Sequence, residues 1–372
     1  MDLLYRGWKT MGAWFWDERI WFPPGHNWTS IESTPDAQYP DFNDMYRAIY
    51  YGFFLMFVRA AFEWIIARRI GRYYGLSDKV VSPSLWGRIK AFMHSLGLEP
   101  ASPEPQRRLI KPRSDSTNGF TPQSPARPRK ITTHSKLDKF AECCWRFTAY
   151  SFLWIYGVII MWNKPWVWDT THCYKGYPLH TLDNDVWWYY MMEAAFYWSL
   201  MFSQAFDGQY RRSDFAMNFI HHLATIALIW LSWADNFVRV GTLVLVIHDV
   251  VDPIIEAFKM IRYCDRSFSR TDNVAGNTVF GMFALAWFTT RCGLYPFKII
   301  YSTLFVAPQH IIFYPVYYIF NSFLLILQVL HLIWSYMIIA MAYKAMHQGE
   351  TEDVRSDVES EDEAVEVEKK LD

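Results

Sequence analysis

The sequence has little cysteine, and its cysteines lack the spacing of a metal site. Five cysteines occur among 372 residues. Cys143 and Cys144 are adjacent, while Cys173, Cys264 and Cys292 stand far apart. Structural zinc sites take closely spaced pairs of Cys or His, and a disulfide framework needs cysteines that can pair in one compartment. We therefore expect neither a structural metal ion nor a disulfide framework.

The amino-terminal region also lacks the pattern of a cleavable signal peptide. Such a signal contains an apolar core of about 7–15 residues. The first forty residues have no continuous apolar core, because charged residues interrupt a series of tryptophans. We therefore expect no cleavable signal here, and residues 1–42 are expected to lie along a membrane surface.

Aromatic residues, by contrast, are abundant. The chain contains 19 Trp, 23 Tyr and 28 Phe, and 52% of its residues are hydrophobic, well above the aromatic content of an ordinary soluble domain. The formal net charge of -1 conceals an uneven distribution. Basic residues concentrate between Arg59 and Lys139, and residues 350–372 are strongly acidic. This composition indicates a membrane protein with a basic loop and an acidic tail.

Apolar stretches of about 20 residues, long enough to cross a bilayer as a helix, recur along the chain. They predict an all-α polytopic membrane protein with seven transmembrane helices. Some of these stretches contain ionisable residues such as Arg59, Glu63 and Glu193, and helices of this kind are expected to enclose a cavity within the membrane. The predicted spans are residues 43–66, 140–162, 186–206, 214–233, 236–261, 275–299 and 313–345.

Positive charges in the connections predict the orientation. The Arg and Lys residues that follow the first, third, fifth and seventh spans all fall on one side, which is cytoplasmic by the positive-inside rule. An odd number of spans then places the N-terminus in the lumen, where Asn27 begins a glycosylation sequon, Asn-Trp-Thr. The predicted organisation is a lumenal segment (1–42), a first helix (43–66), a cytosolic loop (67–136), a six-helix domain (137–346) and a cytosolic tail (347–372).

Both predicted cytosolic segments are polar. Eight prolines between residues 83 and 128 interrupt the basic loop, which argues against a recognition helix, so we expect a linker that does not bind nucleic acid. In the acidic tail, Ser356 and Ser360 each precede an acidic residue by three positions. Acidophilic kinases read this pattern, so both are candidate phosphorylation sites, the alternative being a solvated tail without this role.

Ionisable residues concentrate within the apolar stretch from Phe219 to Met260. A charged side chain at the centre of a membrane helix costs about 2.5–3.5 kcal/mol on insertion scales, so such residues usually face a cavity and mark a functional site. The short connection near residues 234–236 makes the two helices antiparallel, and we expect their polar faces to oppose each other. At helical spacing, the fourth span presents Asn218, His221 and His222, and the fifth presents His248, Asp252 and Glu256 with Asp249 beside them.

Structural roles for these residues are the alternative. Adjacent histidines point about 100° apart on a helix, so at most one of His221 and His222 is expected to do chemistry while the other packs or orients. A buried imidazole can also serve only as a hydrogen-bonding group between helices. The two aspartates can form structural ion pairs with Lys259 or Arg239. Four or more ionisable groups on facing helices nevertheless favour a catalytic cluster.

The stretch from Phe219 to Met260 closely resembles the signature motif of the ceramide synthases, the longevity-assurance branch of the TLC-domain family. Similarity covers most of residues 137–345. In many animal relatives the cytosolic loop carries a homeodomain-like segment, and the proline-rich loop departs from that pattern. The matching elements are His221-His222, Ser232-Trp233, Val238–Leu243, His248-Asp249, Asp252 and Glu256–Met260, with Trp145–Phe147, Trp187–Tyr190 and Asp207–Asp214 before them.

The resemblance implies a TLC-type helical bundle or barrel around an intramembrane cavity, located in the endoplasmic reticulum. It implies transfer of a fatty acyl group from acyl-CoA to the amine of sphinganine or sphingosine, with acyl-CoA as co-substrate and no cofactor. A buried imidazole is suited to accept the proton of the ammonium substrate. Alternatively, an imidazole attacks the thioester first and gives an acyl-imidazole. Asp249 would orient or charge-stabilise the imidazole in either scheme.

The resemblance and the residue pattern together give a set of candidate site residues. The resemblance also places acyl-length selection near residues 300–312 and implies homo- or hetero-dimers with related synthases. Arg211 and Arg212 would contact the CoA phosphates at the cytoplasmic mouth, although the positive-inside rule alone also explains their position. The candidate catalytic residues are His221, His222, His248, Asp249 and Asp252, and the candidate substrate-binding residues are Asn218, Arg211, Arg212, Trp233, Arg239 and Glu256.

Two other functional classes remain open. A metal-dependent lipid hydroxylase or desaturase would use clustered histidines, but it needs more ligands than His221, His222, His248 and His331 supply. A non-enzymatic TLC protein for lipid sensing or translocation is the stronger rival. That class need not retain the His and Asp cluster, which this sequence contains in full.

Overall fold

Helices form the regular structure of the chain, as the sequence predicts. The computed structural model describes residues 12–76, 135–206, 215–265 and 273–348. Within these ranges there is no β-strand, which confirms the all-α prediction. Most of the predicted cytosolic loop and nearly all of the tail lie outside the described residues.

Eight helices carry the architecture of the described ranges. In chain order they are α1 (Phe42–Phe62), α2 (Lys136–Met161), α3 (Asn184–Phe206), α4 (Phe215–Ala234), α5 (Val238–Asp249), α6 (Asp252–Cys264), α7 (Val274–Trp287) and α8 (Pro315–Gln348). α1 continues through a π-helical turn, Glu63–Ala67, into Arg68–Tyr73, and α7 continues as a π-helix, Phe288–Ile300. The shorter helical elements are Glu18–Trp21, Trp28–Ile31, Pro165–Trp168, Thr170–Cys173, Ser302–Val306 and Ala307–Gln309.

The chain is a multi-pass membrane protein. Four helices of the described ranges are long and apolar enough to cross a membrane: Phe42–Tyr73, Lys136–Met161, Phe215–Ala234 and Pro315–Tyr343. The other predicted spans, 186–206, 236–261 and 275–299, also coincide with helical structure. Of these, α3 contains Glu193 among many Tyr and Trp residues, and the predicted fifth span is divided into two helices.

The division of the fifth span occurs beside Pro253. α5 ends at Asp249, and α6 begins at Asp252. A proline has no N–H to donate to the carbonyl four residues earlier, and its ring clashes with that carbonyl. In the sequence, Pro253 within the predicted fifth span predicts a kink close to Asp249, and the structure shows a full break there. Consequently the polar residues predicted to share one face are distributed over two helices.

Glycines allow close packing of α3 against its neighbours. A Cβ atom on Gly52 of α1 would lie 2.8 Å from the Trp198 Cβ, and one on Gly157 of α2 would lie 2.8 Å from the Tyr189 ring. Small residues at such positions let helix backbones approach closely. α3, which contains both Tyr189 and Trp198, therefore packs tightly against α1 and α2.

A hydrogen-bonded cluster fixes the turn between α4 and α5, and we call Tyr177, Asp235, Asn236 and Tyr314 the turn network. Asn236 has a positive φ of 59°, and its side-chain amide donates to the Pro178 carbonyl at 2.6 Å. The Tyr177 hydroxyl donates to the Asp235 carbonyl at 2.7 Å, and the Tyr314 hydroxyl donates to the Asp235 Oδ2 at 3.2 Å. Burial raises the pKa of Asp235 to about 8. The turn is thus held by side chains from three separate parts of the chain.

Candidate active site

Arg291 stabilises the break between α5 and α6. The last carbonyls of a helix have no intrahelical donors. Arg291, on the π-helix after α7, donates from Nη1 to the Ile247 carbonyl at 3.1 Å and from Nη2 to the His248 carbonyl at 2.8 Å. Its Nη2 also lies 3.9 Å from the Asp252 carboxylate at the start of α6. One buried cation therefore serves both ends of the break.

His248 pairs with His331 of α8. The Nδ1 of His248 lies 2.8 Å from the Val244 carbonyl, which can only accept, so this nitrogen carries the hydrogen. The Nε2 atoms of His248 and His331 are 3.1 Å apart. In a neutral pair His331 is then the donor and its Nδ1 holds a lone pair. That Nδ1 is buried and has no hydrogen-bond partner.

His221 and His222 face different partners, as their helical positions predict. The Nδ1 of His222 lies 2.8 Å from the Gln204 Oε1. The Gln204 side-chain amide also donates to the Phe215 carbonyl at 3.4 Å, so its oxygen faces the histidine and accepts the Nδ1 hydrogen. The Nδ1 of His221 is buried without a partner. His222 is therefore oriented by a hydrogen bond, whereas that nitrogen of His221 is uncommitted.

Two tryptophans connect the histidines of α4 to those of α5 and α8. The His221 ring centroid lies 5.3 Å from that of Trp334, and Trp334 lies 6.2 Å from Trp287. Trp287 in turn lies 6.3 Å from the ring of His331, the partner of His248. The structure thus brings both histidine groups to one aromatic cluster, with α8 between them.

Asp249 has a partner that differs from the predicted one. Its Oδ1 accepts from the Tyr197 hydroxyl at 3.3 Å, and not from an imidazole. The Glu193 carboxyl of α3 lies beside it. Asp249 and Glu193 are both fully buried. Both Glu193 oxygens and the Asp249 Oδ2 have no hydrogen-bond partner. The expectation that Asp249 directly orients a histidine is therefore not met by this arrangement.

The remaining polar residues of α6 form their own contacts. Glu256 accepts from the Lys259 ammonium at 2.9 Å, so the predicted structural use of Lys259 occurs with this glutamate and not with the aspartates. Asn218 lies half-buried on α4, one turn before His221. Asn218 therefore lies one turn from His221 on α4, and Glu256 lies one turn from Asp252 on α6.

Trp233 and Arg239 lie away from the histidines. Trp233 is twelve residues from His221 on α4, about 18 Å at the helical rise, and its indole donates to the Asp41 carbonyl at 2.8 Å. Arg239 donates to the His172 carbonyl at 2.6 Å, and its guanidinium lies 4.8 Å from the Trp166 ring. Their side chains hold the end of the bundle near the turn network, so the structure does not bring them to the candidate site.

Four of the other predicted site residues lie outside the described residues, namely Arg211, Arg212, Ser356 and Ser360. Asn27 is described: its Oδ1 caps a short 3₁₀-helix by accepting from the Ser30 N–H at 3.0 Å. Among the residues that the structure covers, no group of three His, Cys, Asp or Glu side chains is placed to hold a metal ion.

An apolar pocket adjoins the polar residues. His248 and Tyr197 line one part of it, and Tyr197 is the residue that donates to Asp249. The pocket therefore contacts one histidine directly, and Tyr197 connects it to the Asp249 carboxyl. Its other lining residues are Tyr190, Thr225, Leu228, Ile229, Gly241, Val244, Leu245, Phe320, Leu324 and Leu327.

Sequence reasoning missed several residues of this centre. Glu193 was visible only as an interruption of an apolar span, and Arg291 was not singled out in the sixth span. Both are ionisable residues within predicted spans, so the reasoning that identified His221 applies equally to them. Gln204 and Tyr197 carry no such signal, because neither side chain is charged at neutral pH.

Comparisons with known proteins agree with the helical architecture and the buried histidines. The TLC domain family model matches residues 139–340. Human ceramide synthase 5 is 36% identical over 367 residues, which cover 95% of this chain and 89% of that protein. Human ceramide synthase 3 is 35% identical over 356 residues, covering 94% and 89% of the two chains. Human ceramide synthase 4 is 32% identical over 363 residues, covering 96% and 89%. With matches that extend over nearly its whole length, the chain belongs to the TLC-domain family and, within it, to the ceramide synthases.

Proposed function

We propose that this chain is a sphingoid-base N-acyltransferase. It joins the fatty acyl group of acyl-CoA to the amine of sphinganine or sphingosine, forms a ceramide or dihydroceramide, and releases CoA. The observation that carries this proposal is the similarity to human ceramide synthases over 94–96% of the chain. The buried histidines agree with it, because acyl transfer to an amine needs a proton acceptor or a nucleophile.

The proposed setting is the endoplasmic reticulum membrane, crossed seven times, with a lumenal N-terminus and a cytosolic C-terminus. Helices at each of the seven predicted positions support this topology, and four of them are long and apolar enough on their own. The distribution of Arg and Lys supports the orientation. The six spans of residues 137–346 form the catalytic domain in this proposal and enclose the intramembrane cavity, with residues 1–42 lumenal, the first span at 43–66, the loop at 67–136, and the tail from 347 to 372 cytosolic.

Both substrates are amphipathic, which accounts for a site within the membrane. In the proposal, a hydrocarbon chain occupies the apolar pocket beside His248 and Tyr197, while CoA stays at the cytoplasmic mouth. Arg211 and Arg212 are the proposed contacts for its phosphates. Water exclusion by the surrounding helices favours attack by the amine over hydrolysis of the thioester.

His221 is the proposed reacting imidazole. Its Nδ1 has no hydrogen-bond partner, so acylation or protonation there breaks no existing hydrogen bond. The neighbouring His222 is held by Gln204 and serves as the orienting member of the pair. In one scheme His221 takes a proton as the amine attacks the thioester, and in the other it first forms an acyl-imidazole that the amine resolves.

The broken helix supplies the electrostatic framework of the proposed site. Arg291 holds the free carbonyls of α5 and neutralises Asp252. His248 and His331 fix each other's orientation through their Nε2 contact. Asp249 then remains the carboxyl group that can act on the amine. Asp249 and Asp252 therefore have separate proposed roles, the first toward substrate and the second as the partner of Arg291.

Amide formation in membranes that contain the chain tests the proposal. Labelled sphinganine is supplied with acyl-CoAs of several lengths, and His221→Ala and Asp249→Asn variants are compared with the wild type at equal abundance. Product from the wild type, with a strong loss in both variants, supports an N-acyltransferase with this site. No product above background with any acyl-CoA overturns the proposal and favours a non-enzymatic lipid-sensing or translocation role.

A further inference from the structure

The carboxyl pair formed by Glu193 and Asp249 makes no ion pair among the described residues, and the cation whose charge acts on Asp249 is Arg291, which already lies beside Asp252. Other carboxylates in the helical region do have one. Glu63 accepts from Arg59 at 2.6 Å, Asp252 lies 3.9 Å from Arg291, and Glu256 accepts from Lys259. Neither Glu193 nor Asp249 forms an ion pair within the ranges that the structure covers. Their contacts are with each other and with tyrosine hydroxyls.

Such a pair is energetically unfavourable as a purely structural feature. Two neighbouring carboxylates in a buried site cannot both carry a full charge without large repulsion. A buried polar group without a hydrogen bond also destabilises the fold. Three of the four oxygens in this pair have no hydrogen-bond partner. The pair is therefore suited to hold one negative charge and to receive a ligand that is both cationic and a hydrogen-bond donor.

The position of the pair fits an amphipathic ligand. Glu193 lies nine residues into α3, about 13 Å from the start of that helix. Tyr197, one helical turn further on, donates to Asp249 and also lines the apolar pocket. Tyr197 therefore connects the apolar pocket to the carboxyl pair.

We propose that Glu193 and Asp249 form the binding subsite for the ammonium group of a long-chain amine and accept its proton. This inference rests on the proposed acyltransferase function, and it adds Glu193 as a residue that touches the substrate. Asp249 alone provides one partnered and one free oxygen, whereas the pair adds both oxygens of Glu193. The proton that a singly charged pair holds occupies one of these three, so two oxygens remain to accept from the N–H donors of an ammonium.

The proton balance of the step is simple. An N–H bond of the ammonium breaks, an O–H bond forms on the carboxyl pair, and the neutral amine remains. Its lone pair attacks the acyl carbon, the C–S bond of the thioester breaks, and the proton lost by the attacking nitrogen passes by way of His221 to the thiolate of CoA. In the acyl-imidazole scheme, attack by the imidazole breaks the C–S bond, and the imidazole N–H proton goes to the thiolate of CoA. The amine then attacks the acyl carbon, the C–N bond to the imidazole breaks, and the proton of the amine returns to the imidazole. The proton on the carboxyl pair leaves to water after product release, which restores the single negative charge.

Ligand binding to the purified protein tests the subsite independently of turnover. The probes are two sphinganine analogues of equal chain length, one with a primary ammonium group and one with a hydroxyl in place of the amine. Binding is measured as the protection of the full chain against thermal unfolding in detergent. A charge-assisted contact predicts about tenfold tighter binding of the cationic analogue by the wild type. We expect Glu193→Gln to reduce this preference to about threefold or less.

Matched variants separate the binding role from folding. Glu63→Gln removes another carboxyl of a predicted span, but one with its own arginine, and it should keep the cationic preference. Glu193→Asp retains the charge and should keep part of it, which also covers the case in which Glu193→Gln does not fold. Equal binding of both analogues by the wild type overturns the subsite, as does an unchanged preference in Glu193→Gln. Absence of amide product in the separate activity assay would instead overturn the acyltransferase function.

Discussion

We call His221, His222, His248 and His331, with Glu193, Asp249 and Arg291, the histidine centre. The turn network and the histidine centre are both buried and polar, but they differ in how many of their polar atoms have hydrogen-bond partners. In the turn network every side-chain oxygen and nitrogen of Tyr177, Asp235, Asn236 and Tyr314 has a partner or is not enclosed. In the centre, atoms of Glu193, Asp249, His221 and His331 are enclosed without one. Buried polar groups in proteins are normally hydrogen-bonded.

This difference distinguishes residues that hold the fold from residues that await a substrate. A satisfied network lowers the free energy of the folded state and has no remaining capacity for a ligand. An unsatisfied centre lowers stability and is retained where its groups act on something else. Changes in the turn network should therefore alter stability more than activity, and changes in the centre should do the reverse.

The largest expected effect concerns His221, compared with His180, whose backbone carbonyl accepts from Asn236 of the turn network at 2.8 Å. His221→Ala should reduce amide formation about 100- to 10,000-fold, the usual contribution of a positioned acid–base group, with little loss of thermal stability. His180→Ala is the control, because burial lowers the pKa of His180 to about 4 and its ring bonds to the Lys175 carbonyl at 2.7 Å. This control should lower the unfolding midpoint and keep the turnover. Turnover and thermal midpoints are measured on the same preparations. More than a tenth of wild-type activity in His221→Ala would contradict the role of His221 as the reacting imidazole.

Arg291 differs from the other residues of the histidine centre, because its polar atoms have partners and its role is structural. Arg291→Met leaves the half-buried Asp252 and two carbonyls without their cation, and loss of hydrogen bonds from a charged group costs about 1.5–3 kcal/mol. Denaturation in detergent should show this loss, and the double variant with Asp252→Asn should recover part of it. Arg239→Met, which removes a partly exposed cation near the turn network, should lose about 1 kcal/mol. Equal losses for the two arginines would refute the role of the helix break.

The pH dependence of stability should report on the turn network through Asp235. Its pKa is raised from 3.8 to about 8 in the folded protein, so the folded state holds a proton that the unfolded state has released. Its contribution is fully present below about pH 4 and is lost as pH rises to about 8, with a slope of at most about 1.4 kcal/mol per pH unit. Unfolding midpoints of the wild type and Asp235→Asn at several pH values measure this, and the variant should have the flatter profile. Parallel profiles would show that Asp235 does not titrate in this way.

A smaller effect is expected from the residue that orients His222. Gln204→Leu removes the acceptor for the Nδ1 hydrogen and should lower turnover about two- to tenfold, since one hydrogen bond is worth about 0.5–1.5 kcal/mol. Gln204→Glu keeps an acceptor and should recover most of the rate with a shifted pH profile. Steady-state kinetics of the three proteins give the comparison. A rate in Gln204→Leu equal to that of the wild type would show that His222 needs no such support.

Much of the helical framework could be predicted from the sequence, because its determinants are local. The lengths of the apolar stretches predicted seven helical positions, and Pro253 predicted the location of the break. The histidines of α4 were also found, since an imidazole in an apolar stretch is conspicuous whatever surrounds it. Their different partners followed from the helical angle between adjacent positions.

The pairings within the centre could not be predicted, because they depend on helices far apart in the chain. His248 meets His331 across 83 positions, and Tyr197 meets Asp249 across 52. Helical periodicity defines the face of a side chain, but not the neighbour that the face will meet. For this reason Arg239 was considered as a partner for the aspartates, while the actual cation beside Asp252 is Arg291, and Asp249 turned out to contact Tyr197.

The most direct test is amide formation by the purified chain in lipid vesicles, supplied only with sphinganine and a panel of acyl-CoAs. Wild type, His221→Ala and His180→Ala are compared at equal amounts of folded protein. We predict ceramide-type product from the wild type and from His180→Ala, and a loss of at least about 100-fold in His221→Ala. Absence of product from the folded wild type, or equal product from His221→Ala, would contradict an acyltransferase centred on this histidine.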